Sequence, residues 1–117
     1  MTQEKQVPET EVCYGKIYRP ERAVKIIKKD GSREEFNVQK VIDAVGKSAY
    51  RALTSFTEEE KRQICRHVVN KVDELGYDEV PIAMMHNIVE SALEQVKPIV
   101  AKSYRDYRNY KIGRAHV

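Results

Sequence analysis

The sequence predicts a mostly α-helical α+β domain, in which a four-helix bundle is capped by a small sheet of two or three strands. Two observations support this fold class. Near the start, a short β-branched segment and a second short strand flank an Asp-Gly turn, the usual pattern of a hairpin. Downstream, four segments repeat apolar residues with the 3.6-residue period of helices that bury one face. A chain of 117 residues has room for one such domain and one modest core.

Composition excludes several classes of function. Apolar residues make up 41% of the chain and charged residues 33%, proportions typical of a soluble globular protein. The net charge of +3 is too small to indicate a nucleic-acid partner. No stretch approaches the roughly 20 apolar residues of a membrane span, and the start lacks the apolar core of a signal peptide. With Cys13 and Cys65 far apart, we expect reduced thiols in a cytoplasmic protein that binds neither membrane nor nucleic acid.

The two ends of the chain differ from the part between them. Residues 1–22 are polar and without clear period, so we expect a flexible lead-in. Residues 112–117 break the preceding pattern and resemble the translation of a common sequencing-library adaptor. We interpret this tail as an artefact and leave it out of functional argument, the alternative being a genuine C-terminus. The folded domain is therefore predicted over residues 23–111.

The hairpin comes first in the predicted domain. Residues 24–28 are short and β-branched, and residues 33–36 return as a second strand. Between them, Asp30-Gly31 supplies the positive φ angles of a tight turn.

The first long helix is predicted to begin after Asn37, whose short side chain can accept a hydrogen bond from an exposed backbone N–H. Phe36 and Val41 are placed to form a hydrophobic staple across this helix start. The predicted buried face comprises Val38, Val41, Ile42, Val45 and Ala49.

The second helix has clear signals at both ends. Thr57 and Glu60 form a capping box, and Gly76 is a good C-cap residue. Its predicted buried residues are Ile64, Val68, Val72 and Leu75. A brief extended stretch at residues 78–80 is a candidate third strand.

Two prolines mark the third and fourth helices. Pro81 fits the first turn of the third helix, and Pro98 interrupts the pattern and starts the fourth. The inward residues are predicted to be Met85, Ile88, Val89, Ala92 and Val96 in the third helix, and Val100, Tyr104 and Tyr107 in the fourth.

The most informative group of residues is the basic hairpin. Lys28 and Lys29 lie beside Gly31, and Lys40 lies in the first turn of the following helix. Ammonium groups, free backbone N–H groups and the positive end of a helix dipole together suit a triphosphate. The glycine spacing fits neither a P-loop nor a dinucleotide fold. A solvated hairpin that binds nothing remains the alternative interpretation.

Two further groups of charged residues have open alternatives. His86 lies between apolar residues of the third helix, so a partly buried structural histidine competes with a ligand-binding one. Along the last helix, positive residues recur every three positions, either as a solvated face or as a surface for phosphate or a neighbouring domain. These residues are Lys102, Arg105, Arg108 and Lys111.

The pattern of these segments resembles the ATP-cone family. Residues 24–36, VKIIKKDGSREEF, followed by Lys40 near a helix start, are similar to that family's signature. Residues 85–93 resemble its third helix, and residues 101–108 resemble the Tyr-Arg pattern that closes the domain.

The resemblance implies a small helical bundle under a short sheet that binds ATP or dATP, together with Mg²⁺, to tune a ribonucleotide reductase. The nucleotide-binding residues implied by motif position are Val24, Lys28, Lys29, Glu34, Asn37, Lys40 and His86. Val24 would lie against adenine, His86 near the nucleotide, and the others against phosphate or sugar. Lys29 replaces the usual Arg and loses its bidentate geometry, and Ile82 replaces a hydroxyl residue of some members.

The sequence contains no evident nucleophile with a matched base and no evident metal cluster, so we predict no catalytic or metal-binding residues. The expected function is therefore regulatory. The partner implied is the catalytic domain of the same parent chain, with a homo-oligomer through the cone left open. Residues 104–111 are most similar to anaerobic ribonucleoside-triphosphate reductases, which make deoxyribonucleotides. Two alternatives remain, a helical interaction module without ligand and the reductase-gene transcriptional repressor. The repressor needs a zinc ribbon before the cone, where residues 1–23 offer only Cys13.

Overall fold

The computed structural model describes residues 13–115, with side chains as far as residue 109, and confirms the predicted α+β class. Four long helices pack as a bundle, and a small sheet covers part of it. In chain order the elements are α1 (Tyr14–Ile17), β1 (Lys25–Ile27), β2 (Arg33–Glu35), α2 (Val38–Arg51), α3 (Glu58–Leu75), β3 (Glu79–Pro81), α4 (Ile82–Val96) and α5 (Pro98–Ala115).

The sheet has three strands in the order β2-β1-β3. Strands β1 and β2 form the predicted antiparallel hairpin, with Ile26 opposite Glu34. The third strand predicted near residues 78–80 is also present and pairs parallel with β1, where Ile26 lies opposite Val80. A parallel pair of strands needs a long crossover connection. Between β1 and β3 this connection contains strand β2 and helices α2 and α3. Ile26 and Val80 point into the core.

The hairpin turn differs in detail from the prediction of positive φ at both Asp30 and Gly31. Only Gly31, at φ +88°, has a positive φ angle in this turn. Its N–H donates to the Lys28 carbonyl at 2.9 Å, and the Lys28 N–H donates to the Ser32 carbonyl at 2.8 Å, as in a three-residue loop with a glycine bulge. Asp30 instead accepts hydrogen bonds from the Ser32 N–H and hydroxyl at 2.9 and 2.6 Å. These bonds to Ser32 lower the pKa of Asp30.

The predicted helix caps of α2 and α3 are confirmed. The Asn37 side chain accepts a hydrogen bond from the Gln39 N–H at 2.9 Å. Thr57 and Glu60 form both bonds of the capping box, and Gly76 ends α3 in the left-handed conformation at φ 68°. Helix α4 begins one residue later than predicted. Pro81, expected in its first turn, ends β3 and occupies the N-cap position of α4. These caps succeed as predictions because each depends on contacts within about four residues along the chain.

The helix faces predicted from periodicity form most of the core, although some buried residues were missed and one exposed residue was predicted to be buried. The buried core residues of the long helices include Val38, Ile42, Val45, Ala49, Ile64, Val68, Val72, Met85, Val89, Ala92, Leu93, Val100 and Ala101. Cys65, Val69, Leu93 and Ala101 are also buried and were missing from the predicted faces. Tyr107, predicted to point inward, is 40% exposed, and its ring lies against the Arg51 guanidinium. Burial in this core raises the pKa of the Cys65 thiol to about 12, so this thiol is protonated at neutral pH.

Part of the expected flexible lead-in is ordered in the structure. Tyr14 of α1 is only 4% exposed, its N–H donates to the Gln39 side chain at 3.0 Å, and its hydroxyl donates to the Glu58 carboxylate. Gly15 lies directly against the Asn37 side chain, since an added Cβ would meet the Asn37 Oδ1 at 2.2 Å. The segment is too short for periodicity to reveal it, and residues 1–12 lie outside the described part of the chain. Among residues 13–115, no helix combines the length and apolar character needed to cross a bilayer.

Candidate functional site

A basic cleft of about 750 Å³ lies between the hairpin and helices α2, α4 and α5. This volume is within the range of sites that bind small organic ligands. The described residues that line it are Ile26, Lys28, Lys29, Glu34, Lys40, Asp43, Ala44, Lys47, Ser48, Arg51, Ile82, His86, Tyr104, Tyr107 and Arg108. We refer to this group as the basic cleft.

Five of the seven residues predicted to bind nucleotide lie in the basic cleft: Lys28, Lys29, Glu34, Lys40 and His86. Lys28, at the end of β1, and Lys40, in the first turn of α2, converge on the carboxylate of Glu34. The Lys40 Nζ lies 2.6 Å from one Glu34 oxygen, and the Lys28 Nζ lies 3.6 Å from the other. The hydrogen bond from Lys40, and then the charges of Lys40 and Lys28, hold the pKa of Glu34 below its ordinary value. Both ammonium groups are therefore close enough to contact the same anion.

Val24 and Asn37, the other two predicted residues, do not line the basic cleft. Val24 is buried in the core, and its carbonyl accepts a hydrogen bond from the Phe36 N–H at 2.9 Å. Asn37 uses its side-chain oxygen to cap α2 and packs against Gly15. Their local roles are therefore structural, and direct contact of either one with a nucleotide remains a prediction.

His86 occupies the wall of the cleft formed by α4. It follows Ile82 by one helical turn, and its ring meets the Tyr104 ring edge-on, with centroids 6.2 Å apart. Burial, the charge of Arg108 and the charge of Lys29 all lower the pKa of this imidazole. His86 is therefore neutral at pH 7 and lies between cations of the hairpin and α5. It is both partly buried and exposed to the cleft, so the two interpretations open from the sequence are compatible.

Helix α2 contributes residues to the cleft that the sequence analysis missed. Lys47 and Arg51 follow Lys40 along one helix face, and Asp43 and Ser48 lie beside them. The spacing of three or four residues between these polar positions was the available signal. The Arg51 guanidinium lies over the Tyr107 ring, 3.9 Å from its centroid, and donates to the Ser48 hydroxyl at 2.8 Å. Tyr107, exposed to solvent, thus forms part of the cleft wall.

The described cations of the α5 run lie in different surroundings, and a role in binding phosphate or a neighbouring domain stays a prediction. Lys102 pairs with Asp106 within the helix at 2.7 Å, as expected for a solvated face. Arg108 lines the basic cleft. Arg105 and Arg108 both pair with Glu90 of α4.

The charge of the cleft matches a polyanion. Within the described part of the chain, six Lys and Arg side chains line it, against the two carboxylates of Glu34 and Asp43. Positive side chains around a partly enclosed cleft focus the electrostatic potential and attract anions. Among residues 13–115, no group of three or more His, Cys, Asp and Glu side chains could hold a metal ion. The fold and the cleft together define a small helical bundle, covered in part by a short sheet, with a basic cleft whose charge suits an anionic ligand.

The sequence model of the ATP cone domain family matches residues 24–111. This match covers most of the chain and includes every residue that lines the basic cleft. The chain therefore belongs to the ATP-cone family.

Two kinds of relatives contain similar sequences. The anaerobic ribonucleoside-triphosphate reductase of Haemophilus influenzae is 36% identical over 85 residues, which cover 72% of this chain and 12% of the reductase. The transcriptional repressor NrdR of Limosilactobacillus fermentum is 34% identical over 88 residues, or 72% of this chain and 57% of the repressor. NrdR of Bacillus cytotoxicus is 27% identical over 112 residues, covering 89% of this chain and 72% of the repressor. The chain thus spans a small part of the reductase and just over half of the first repressor.

Proposed function

We propose that this domain binds ATP or dATP in the basic cleft and regulates a ribonucleoside-triphosphate reductase to which it is joined. The observation that carries the proposal is the convergence of Lys28 and Lys40 on the Glu34 carboxylate, at 3.6 and 2.6 Å. An anion of the right size entering here meets both ammonium groups, one of which is carried by the first turn of α2. Family membership and the 36% identity to the anaerobic reductase support the same assignment.

The triphosphate is proposed to lie along the cations of the cleft. Lys28, Lys29 and Lys40 would contact it from the hairpin and α2, while His86 and Arg108 would face it from α4 and α5. Charge-assisted hydrogen bonds of this kind are about twice as strong as neutral ones. The proposal assigns no covalent chemistry to the domain, because charge and hydrogen-bond donors are what the cleft supplies.

Regulation follows if the two nucleotides stabilise different conformations of the parent protein. Allosteric coupling is typically about 1–3 kcal/mol and requires a ligand to distinguish two states. ATP and dATP differ by one 2′-hydroxyl, and one hydrogen bond contributes about 1 kcal/mol. Such a difference shifts a balanced equilibrium without saturating it. Mg²⁺ bound with the nucleotide, a cytoplasmic location and assembly of copies through the cone remain predictions.

The NrdR repressors are the second candidate class, since two of the relatives named above are such proteins. The reductase and the repressor differ in what is fused to the cone. Sequencing the complete open reading frame of the parent gene therefore separates them. A long catalytic region after the cone supports the reductase, whereas four zinc ligands before the cone support the repressor.

Titration of the purified domain with ATP and dATP by isothermal calorimetry tests nucleotide binding. We expect saturable heats with both nucleotides and a rise in Tm on addition of either, because a ligand that binds the native state stabilises it. AMP is the matched control, since it offers one phosphate to the same cations and should bind more weakly. The absence of saturable heat and of any Tm shift at millimolar ATP would contradict the proposal.

The pH dependence of ATP binding should report on His86. Burial and the charges of Arg108 and Lys29 lower the pKa of His86 below its ordinary value of 6.5. A bound polyanion favours the imidazolium and raises this pKa, so binding takes up protons and the affinity should increase as the pH falls from about 8 towards 6.5.

Parallel titrations of His86→Gln check the source of this effect. The phosphate groups of ATP titrate near pH 6 themselves, and their contribution is the same for both proteins. We expect the affinity of the unmodified domain, relative to that of His86→Gln, to increase as the pH falls from about 8 towards 6.5. Superimposable pH profiles would show that His86 gains no proton on binding.

A further inference from the structure

Arg108 is at the junction between the basic cleft and the outer surface of α4. Its guanidinium lines the cleft, while its side chain is 26% exposed. The Arg108 Nη2 donates a hydrogen bond to the Glu90 Oε1 at 3.3 Å. Arg108 is thus a cation of the cleft that already has a carboxylate partner outside it.

Glu90 has a second partner that is held more closely. It follows His86 by one turn of α4, is 18% exposed, and is not among the residues that line the cleft. The Glu90 Oε2 accepts a hydrogen bond from the Arg105 Nη1 at 2.5 Å. The same nitrogen also donates to the Glu94 carboxylate at 3.4 Å. Glu90 therefore keeps an ion-pair partner when Arg108 moves away. Losing Arg108 would not leave a partly buried carboxylate unpaired, the situation that makes breaking such pairs costly.

From this asymmetry we infer that Arg108 moves away from Glu90 when a nucleotide binds and donates to the phosphate chain instead. Glu90 then lowers nucleotide affinity, because it competes with the phosphate for Arg108. The inference depends on nucleotide binding in the cleft, as proposed above. Glu90 then affects the ligand only through Arg108, without contacting the nucleotide itself. The exchange also transmits occupancy of the cleft to the α4 surface, where Arg105 and Glu94 remain as neighbours.

The same contacts allow an opposite role, in which Glu90 holds Arg108 in the orientation that a phosphate needs. The two roles differ in the sign of one measurement. If Glu90 competes, removing its charge strengthens ATP binding. If Glu90 orients Arg108, removing it weakens binding. Because Arg105 pairs with both Glu90 and Glu94, Glu90 does not depend on Arg108 for a partner, and this favours competition.

Four variants measured by calorimetry with ATP test the exchange. Glu90→Gln should bind ATP about two- to fivefold more tightly, the range set by a partly exposed ion pair. Glu94→Gln is the matched control, because Glu94 lies on the same helix and contacts Arg105 and not Arg108; its affinity should be unchanged. Arg108→Gln should bind more weakly, and Glu90→Gln in the Arg108→Gln background should give no gain.

Several outcomes would overturn the inference. Weaker or unchanged binding by Glu90→Gln excludes competition, and a gain that persists without Arg108 shows a general effect of charge. If Glu90→Gln is poorly folded, Glu90→Asp keeps the charge but shortens the reach to Arg108, and its affinity should also rise. Absence of any ATP binding by the unmodified domain contradicts the proposed function itself, whereas normal ATP binding with no gain in the Glu90 variants contradicts only the exchange.

Discussion

Replacing Lys40 by alanine should weaken ATP binding by about 10- to 100-fold. Lys40 lies in the first turn of α2, and its ammonium group approaches Glu34 to 2.6 Å, the same carboxylate that the Lys28 ammonium approaches to 3.6 Å. A hydrogen bond to a charged partner contributes about 1.5–3 kcal/mol, and each 1.4 kcal/mol is a factor of ten in affinity. Calorimetry with ATP measures the loss directly.

The matched control for Lys40 is Lys71→Ala on α3. Lys71 is also an exposed helical lysine with an acidic partner, Glu74, at 3.5 Å, but it lies outside the basic cleft. It should leave the ATP affinity unchanged, and both variants should keep the unmodified Tm within a few degrees, because surface substitutions rarely exceed about 0.5 kcal/mol. Equal affinities of the two variants for ATP would contradict the placement of the phosphate chain beside α2.

Replacing Leu93 by alanine should lower the free energy of unfolding by about 2–5 kcal/mol. Leu93 is fully buried on α4, the helix that packs against both α3 and α5 and carries His86. Truncation removes apolar contacts and leaves a cavity that the bundle fills incompletely. A Tm lowered by roughly 10 °C or more in a thermal melt is the expected measurement.

Ile88→Ala is the control for Leu93. Ile88 lies on the same helix and was predicted to be buried, but it is only partly buried against the core. Its truncation should cost clearly less, because water already reaches part of the side chain. Stability loss equal to or greater than that of Leu93→Ala would show that α4 packs in a different rotation about its axis.

Local features of the fold were predictable because their causes are local. The Asn37 cap, the capping box at Thr57 and the left-handed Gly76 each depend on a few neighbouring residues. The hairpin was predictable from its turn, although the φ angle of Asp30 was not. The buried face of each helix followed from periodicity, whereas Leu93 and Tyr107 show that its edges depend on which helices lie alongside.

The candidate site was predictable only in part. Lys28, Lys29 and Lys40 lie within a short stretch of sequence, so their proximity follows from one hairpin and one helix start. Arg51 and Arg108 come from distant segments, so the spacing on α2 and the cationic run of α5 mark them as candidates, but only the packing of α2 against α5 brings them to the same cleft. Asn37 was assigned to the ligand by motif position, while the structure uses its side chain to cap α2.

The sequence by itself determined the helices, the hairpin, the fold class and the basic character of the first turn, since these depend on propensity, periodicity and hydrogen bonds between near neighbours. Only the tertiary structure decided that Lys28 and Lys40 meet at one carboxylate, that α1 docks on the start of α2, and that Arg108 lies between the cleft and Glu90. These are contacts between residues remote in sequence, or between side chains whose directions depend on how the helices pack. The charge of a side chain does not determine such contacts, because a cation on a helix face remains solvated unless another element packs against it.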